Sequence, residues 1–176
     1  MEKNALIVTN TIGMFHFLWT DIDMLNEMGY KVYAMADNRA GEEHTLRMMA
    51  DRNVTFVDTR IDGVSLTKNT RDFYKQLRRL LASHHFDLVH CHTPLVGLFV
   101  RTHGLPYTPM SSRKTFLVYN TLERFASRFC DAIITINHQD YGYMKATHCK
   151  NVFLISGVGL DCRRFSNVEV DRTAYR

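Results

Sequence analysis

Short apolar runs alternate along this chain with longer segments whose apolar residues recur at helical spacing. The runs at 5–8, 31–36, 54–57, 87–91, 132–136 and 151–155 each have the length and composition of a buried strand. Strands that alternate with helices are typical of βαβ units, in which a helix connects two parallel strands. We therefore predict an α/β fold, a Rossmann-like parallel sheet flanked by helices.

Helix signals lie between these runs. The first helix has Met14, Leu18, Ile22 and Leu25 at helical spacing, with Gly29 where a C-terminal cap belongs. Further helices are predicted over 42–51, over a segment that begins at Thr67 or Asn69, over 113–129, and after Asn137, which can cap a helix carrying Asp140 in its first turn.

Composition excludes several classes of protein. The 176 residues are 45% hydrophobic and 23% charged, which is typical of a folded globular chain rather than a disordered one. The net charge of +4 is scattered along the chain, so we expect no nucleic-acid partner. No apolar run approaches the ~20 residues of a membrane span, and the apolar stretch at 5–8 is too short for a signal peptide. Four cysteines without a close pair favour reduced thiols in the cytoplasm.

Ligands of an open parallel sheet bind beyond the carboxyl ends of its strands. The residues that follow the predicted strands are therefore the first candidates for a site. They are rich in Gly, Thr, Asn and His, which suits a ligand with many hydroxyl or phosphate groups, and they occupy 9–13, 36–38, 90–94, 135–137 and 156–159.

Four motifs, in order along the chain, resemble those of one enzyme family. They are Asp-Leu-Val-His-Cys-His-Thr-Pro at 87–94, Thr-His-Gly at 102–104, the segment 124–137 with its Ile-Thr-Ile-Asn end, and Gly-Val-Gly-Leu-Asp at 157–161 followed by Phe165. In this pattern the chain resembles the N-terminal domain of family 4 glycosyltransferases, retaining enzymes of the GT-B fold, of the type that makes capsular polysaccharide or exopolysaccharide.

The resemblance implies a two-domain enzyme whose cleft lies between two Rossmann-like domains. Residues 1–166 would form the N-terminal, acceptor-side domain and 167–176 the start of an interdomain linker, with the C-terminal donor-binding domain absent from this sequence. The implied reaction transfers a sugar from a nucleotide sugar, a UDP-sugar in our prediction, to a glycan or lipid-linked acceptor with retention of configuration. It needs no metal and no cofactor, and this chain alone would be inactive.

The same resemblance assigns the site residues. His103 would lie near the transferring sugar as the catalytic candidate, His92 would shape the acceptor side, and the loop at Gly13 would lie close to the diphosphate. The other substrate-binding candidates are Thr93, Asn137, Gly157, Gly159 and Asp161. The sequence departs from the family pattern before His103. Only ten residues, 93–102, separate His103 from His92, and a parallel crossover needs about a dozen or more.

Other interpretations remain open at this point. The strand-end loops could belong to a non-catalytic module that binds a nucleotide or sugar phosphate, or to a GT-B-like sugar-nucleotide epimerase. His90 and His92 share a face of their strand, but no third or fourth zinc ligand follows at a suitable spacing. The 113–129 helix combines basic and aromatic residues, so it is either a core helix with a solvated basic face or a peripheral contact with the inner face of an anionic membrane.

Overall fold

The computed structural model describes residues 3–61, 67–92 and 112–157, which form an α/β fold of parallel strands and flanking helices. The strands are β1 (Lys3–Thr9), β2 (Tyr30–Asp37), β3 (Thr55–Thr59), β4 (Leu88–His92), β5 (Ala132–Thr135) and β6 (Asn151–Leu154). The α-helices are α1 (Trp19–Glu27), α2 (Glu43–Asp51), α3 (Lys68–Ser83), α4 (Arg113–Ala126) and α5 (His138–Lys145). The predicted fold class is confirmed.

Every strand pairing in the described ranges is parallel. One sheet has the order β3-β2-β1-β4, and β5 pairs with β6 in a second sheet. In the first sheet the register pairs Asp37 with Thr59 and Thr9 with His92, so the carboxyl ends of all four strands lie along one edge. This edge is where the topology of an open parallel sheet directs a ligand.

The core is divided by the four-stranded sheet. Ala5 and Ile7 of β1 pack on one face with Ile22 of α1, whereas Leu6 and Val8 pack on the other face with α3. A strand buried on both faces reads as a continuous apolar run, because neither set of alternating side chains meets water. The run at 5–8 is such a strand.

The first predicted helix is divided in two. A 3-10 helix spans Ile12–Phe17, and α1 begins only at Trp19, with Leu18 outside the helical region between them. Ile12, Phe15 and Leu18 are all buried and lie three residues apart, which is the 3-10 period rather than the α period. The α-helical spacing counted from Met14 was therefore correct over α1, but wrong over the segment before α1, where the chain forms a 3-10 helix.

The predicted helix ends are mostly confirmed. Thr67 is the N-cap of α3, where its Oγ1 accepts a 3.3 Å hydrogen bond from the N–H of Thr70, so the alternative start at Asn69 was wrong. Gly29 follows α1 with φ of +80°, a conformation that glycine adopts without steric cost. The 113–129 helix is confirmed as α4 continued by a 3-10 turn at Ser127–Phe129.

The second sheet has a small core of its own, in which Ile133, Met144 and Cys149 are buried between β5 and α5. β4 and β5 are not paired, and the short 93–102 segment lies between them, outside the described residues. The domain limit at 166 and the 167–176 linker also lie outside them. In the described ranges, no helix has both the length and the apolar character that crossing a membrane requires.

Candidate functional site

A row of buried polar residues follows the carboxyl edge of the four-stranded sheet. Thr59, Asp37, Thr9 and His92 are the last residues of β3, β2, β1 and β4, and all four are buried. The Oγ1 of Thr9 donates a 2.8 Å hydrogen bond to the carbonyl of Thr11, whereas the Oγ1 of Thr59 makes no hydrogen bond in the described chain. This edge holds the candidate site.

Asp37 organises the part of the edge where β2 and β3 end. Its carboxylate accepts hydrogen bonds from the N–H and Nε of Arg39 and from the N–H of Ile61, all between 2.8 and 2.9 Å. Burial by itself would raise the pKa of Asp37, but these hydrogen bonds and the Arg39 charge outweigh burial and leave the pKa below its ordinary value. The ionised carboxylate of Asp37 therefore joins the loop after β2 to the loop after β3 through hydrogen bonds.

Gly13 lies beside a group of polar side chains where β1 and β2 end. A Cβ at Gly13 would lie 3.0 Å from the Glu42 Oε1, so the absent side chain leaves room for that carboxylate. The other oxygen, Oε2, lies 2.9 Å from the Thr45 hydroxyl and 3.5 Å from the His16 Nε2. Gly13 was predicted from the sequence, but the three side chains around it were not, since Glu42 and Thr45 become its neighbours only after β1 and β2 pair.

His92 has two polar neighbours. The rings of His90 and His92 are 4.0 Å apart between centroids, as expected for residues on one face of a strand. Asp21 of α1 faces them, and its carboxylate oxygen and one ring nitrogen of each histidine lie within 4.8 Å of one another. In the described chain these three residues form a group that could hold a metal ion, and Asp21 is a third candidate ligand that the sequence spacing did not reveal. The absence of a metal stays a prediction.

Asn137 and Gly157 belong to the second sheet. Asn137 is the N-cap of α5, as the sequence predicted: its Oδ1 accepts a 2.8 Å hydrogen bond from the Asp140 N–H, and its Nδ2 donates to the Asp140 carboxylate at 3.0 Å. A ligand would have to compete with these local bonds. Gly157 follows β6 with φ of +113°, a conformation in which a side chain would be strained. Substrate binding by both residues stays a prediction.

Four predicted site residues, Thr93, His103, Gly159 and Asp161, lie outside the described residues. The sequence did not single out His16, Glu42, Thr45 or Asp21. For His16 and Glu42 a weak signal exists, because each follows a predicted strand by a few residues. Nothing in the sequence says which residues of two loops face each other.

The cysteines of the described chain are free thiols. Burial raises the pKa of Cys91 well above its ordinary value, with nearby Cys130 adding to the effect, so the thiol stays protonated. Cys91 packs in the core with Phe73 and Leu77 of α3, where its thiol serves as a small apolar side chain.

Two grooves on the described surface lie away from this row of strand-end residues or at its margin. The larger, about 410 Å³, is lined by Leu81–Phe86 and Val89 at the amino end of β4. The smaller, about 320 Å³, lies beside the end of β3 and includes Thr59 and Gln76. The larger groove is at the opposite end of the strands from the candidate site, so position in the fold, rather than size, identifies the site.

The chain is similar to a glycosyltransferase family and to one curated protein of that kind. A family model described as Glycosyltransferase Family 4 matches residues 13–155. A curated protein named "Putative glycosyltransferase EpsD", from Bacillus subtilis (strain 168), is 29% identical over 113 residues. The match covers 54% of this chain and 30% of that protein, so this chain aligns with under a third of its relative's length.

Proposed function

Because the chain belongs to glycosyltransferase family 4, we propose that it is the acceptor-side half of a retaining GT-B glycosyltransferase. The substrates proposed are a nucleotide sugar, namely a UDP-sugar, and a glycan or lipid-linked precursor of capsular polysaccharide or exopolysaccharide. The single observation that carries the proposal is the row of polar residues from Thr59 to His92 along the carboxyl edge of the parallel sheet. The other half of the cleft would be a second α/β domain.

In the proposed reaction an acceptor hydroxyl oxygen forms a bond to the anomeric carbon of the donor sugar. The bond between that carbon and the diphosphate oxygen breaks, and the nucleoside diphosphate leaves with the electron pair. The acceptor proton passes to the diphosphate, and attack occurs on the face that the diphosphate leaves, so the configuration is retained. We assign His103 to the reacting sugar and His92 to the acceptor side, where Asp21 and His90 lie beside its ring.

The assembled enzyme allows a direct test of His103. His103→Ala should abolish transfer from a UDP-sugar, whereas His85→Ala should leave it unchanged, because His85 is exposed at the amino end of β4. Near-normal turnover of a folded His103→Ala enzyme would remove His103 from the mechanism. If an epimerised sugar nucleotide forms without any acceptor, the enzyme is an epimerase rather than a transferase. Binding of the sugar nucleotide without turnover would indicate a non-catalytic binding module.

Sequencing of the coding DNA tests the domain organisation. We expect the reading frame to continue beyond Arg176 into a second α/β domain of about 150 residues, an ordinary domain size. Additional codons before Thr102 would supply the residues that the 93–102 crossover lacks. A stop codon directly after Arg176 would contradict the two-domain proposal.

We also propose that α4 brings the enzyme to an anionic membrane surface that carries a lipid-linked acceptor. Leu117, Phe125 and Phe129 are exposed, Phe129 to 76%, and the rings of Phe125 and Phe129 lie 5.4 Å apart. Arg124 and Arg128 are exposed beside them. Adjacent aromatic and basic side chains suit the boundary between acyl chains and anionic headgroups.

Vesicle co-sedimentation tests the membrane contact. The chain should sediment with phosphatidylglycerol vesicles at low salt, and Phe125→Ala with Phe129→Ala should reduce the bound fraction severalfold. Phe153→Ala is the control, because Phe153 is an aromatic residue on β6 whose exposed fraction of 54% is close to the 57% of Phe125. No sedimentation at low salt, or equal losses in both variants, would contradict the proposed contact.

A further inference from the structure

Three polar side chains surround Gly13 where β1 and β2 end. His16 comes from the 3-10 helix after β1, while Glu42 and Thr45 come from the start of α2. Thr45 is buried, whereas His16 and Glu42 keep about a third of their side-chain surface exposed. The group therefore has a buried anchor and two side chains that a ligand can reach.

The hydrogen bonds of the group determine which atoms donate. The Thr45 hydroxyl donates to the Glu42 Oε2 at 2.9 Å, because a carboxylate only accepts. The lone pairs of that hydroxyl then face the His16 Nε2 at 3.2 Å, and Oε2 lies 3.5 Å from the same nitrogen. Both contacts need a hydrogen on Nε2, so in the neutral ring the His16 Nδ1 is the acceptor.

The second oxygen of Glu42, Oε1, lies against Gly13. The N–H of Glu42 donates a 2.9 Å hydrogen bond to the Asn38 Oδ1, which fixes the backbone at this point. Oε1 faces the Cα of Gly13 and accepts no hydrogen bond in the part of the chain that the structure describes. Oε1 of Glu42 and Nδ1 of His16 are thus two hydrogen-bond acceptors on side chains that are about one-third exposed, and the carboxylate lies in the space that a side chain at position 13 would need.

We propose that Glu42 and His16 bind the hydroxyl groups of a neutral sugar, which makes the Gly13 loop an acceptor-sugar subsite. Hydroxyls donate to carboxylate and imidazole acceptors, whereas a diphosphate offers only acceptor oxygens and negative charge. The Glu42 carboxylate would repel a diphosphate at this position. This subsite rests on the proposed transferase function, and it differs from the diphosphate contact that the family resemblance implies for Gly13.

NMR of the 176-residue chain tests the subsite without an activity assay. The His16 ring signals are identified by their loss in His16→Gln and followed during titration with methyl glucoside, methyl galactoside, N-acetylglucosamine or sodium pyrophosphate. At least one neutral sugar should shift the His16 signals, and pyrophosphate should not. Glu42→Gln should weaken sugar binding by about tenfold or more, the loss expected for a hydrogen bond to a charged group.

Glu43→Gln is the matched control, because it removes the same charge one residue away. Glu43 is 79% exposed and pairs with Arg47, so sugar affinity should not change. The proposal is overturned if pyrophosphate shifts the His16 signals, if no sugar shifts them up to its solubility limit, or if Glu43→Gln weakens binding as much as Glu42→Gln. A sugar response in a protein whose assembled form transfers no sugar would overturn the transferase and leave the subsite standing.

Discussion

Replacing Asp37 with asparagine tests whether one buried carboxylate holds the ends of β2 and β3 together. Asp37 is 6% exposed, and its Oδ2 accepts hydrogen bonds from the Ile61 N–H and the Arg39 Nε. The Arg39 Nη2 also donates to the Ile61 carbonyl at 2.6 Å, so the carboxylate and the guanidinium together join the two loops. Asparagine keeps the shape but has only one acceptor oxygen.

The cost follows from the donors that lose their acceptor. The Ile61 N–H is buried, and a buried donor without a partner costs about 1–3 kcal/mol. Arg39 is 53% exposed, so water replaces part of its lost interaction. We expect the free energy of unfolding to fall by about 2–4 kcal/mol, which at this chain length lowers Tm by roughly 4–16 °C.

The effect should depend on pH in one direction. The pKa of Asp37 is lower in the folded chain than in the unfolded chain, where it takes its ordinary value of about 3.9. The ionised carboxylate therefore stabilises the fold fully above that value, and the stabilisation is lost as the pH falls through the lower, folded pKa. The difference between wild type and Asp37→Asn should shrink accordingly in acid.

Urea denaturation followed by circular dichroism measures both effects. Asp58→Asn is the control, because Asp58 also accepts hydrogen bonds from a backbone N–H and from an arginine but is 48% exposed. Its expected cost is about 1 kcal/mol or less. A loss for Asp37→Asn no larger than that of Asp58→Asn, or a difference that grows as the pH falls, would refute the reasoning.

The remaining predictions concern thiol reactivity, backbone conformation and a helix cap. Iodoacetamide should label partly exposed Cys130 at least about tenfold faster than buried Cys91, because the reagent attacks a thiolate and burial keeps the Cys91 thiol protonated. Equal labelling rates by mass spectrometry would contradict this. Gly29→Ala should lower the free energy of unfolding by about 1–2 kcal/mol, because Gly29 has a positive φ. Gly142→Ala, at an open helical position, should raise it by about 0.5–1 kcal/mol. Changes of the same sign for both variants in urea denaturation would refute the backbone argument. By the same assay Asn137→Ala should cost about 1 kcal/mol through loss of the α5 cap, and no change would show that the cap contributes little.

The elements of this fold could be predicted because their signals are local. A strand such as β1 is encoded by consecutive apolar residues, and a cap such as Thr67 acts on an N–H three residues away. The division of the first helix at Leu18 could not be read as easily, since buried residues at a spacing of three and four occur together in that segment. There the packing of Phe15 against the sheet decided between two helical periods.

Only part of the candidate site could be predicted from the sequence. The carboxyl edge was predicted, because parallel βαβ units place all strand ends on one side, and Gly13 and His92 lie along that edge. The partners of those residues were not predicted: Asp21 lies 71 residues before His92, and Glu42 lies 29 residues after Gly13. Which residues of separate loops face each other depends on strand order and register.

The sequence by itself determined the alternation of strands and helices, the parallel sheet that follows from it, and the family to which the chain belongs. The tertiary structure alone decided that Asp37 joins two loops, that Asp21 faces His90 and His92, and that Glu42 and His16 meet beside Gly13. The physical reason is the distance along the chain between the residues that make the contacts. Secondary structure follows from contacts within a few residues, whereas a binding site consists of groups that only the pairing of distant strands brings together.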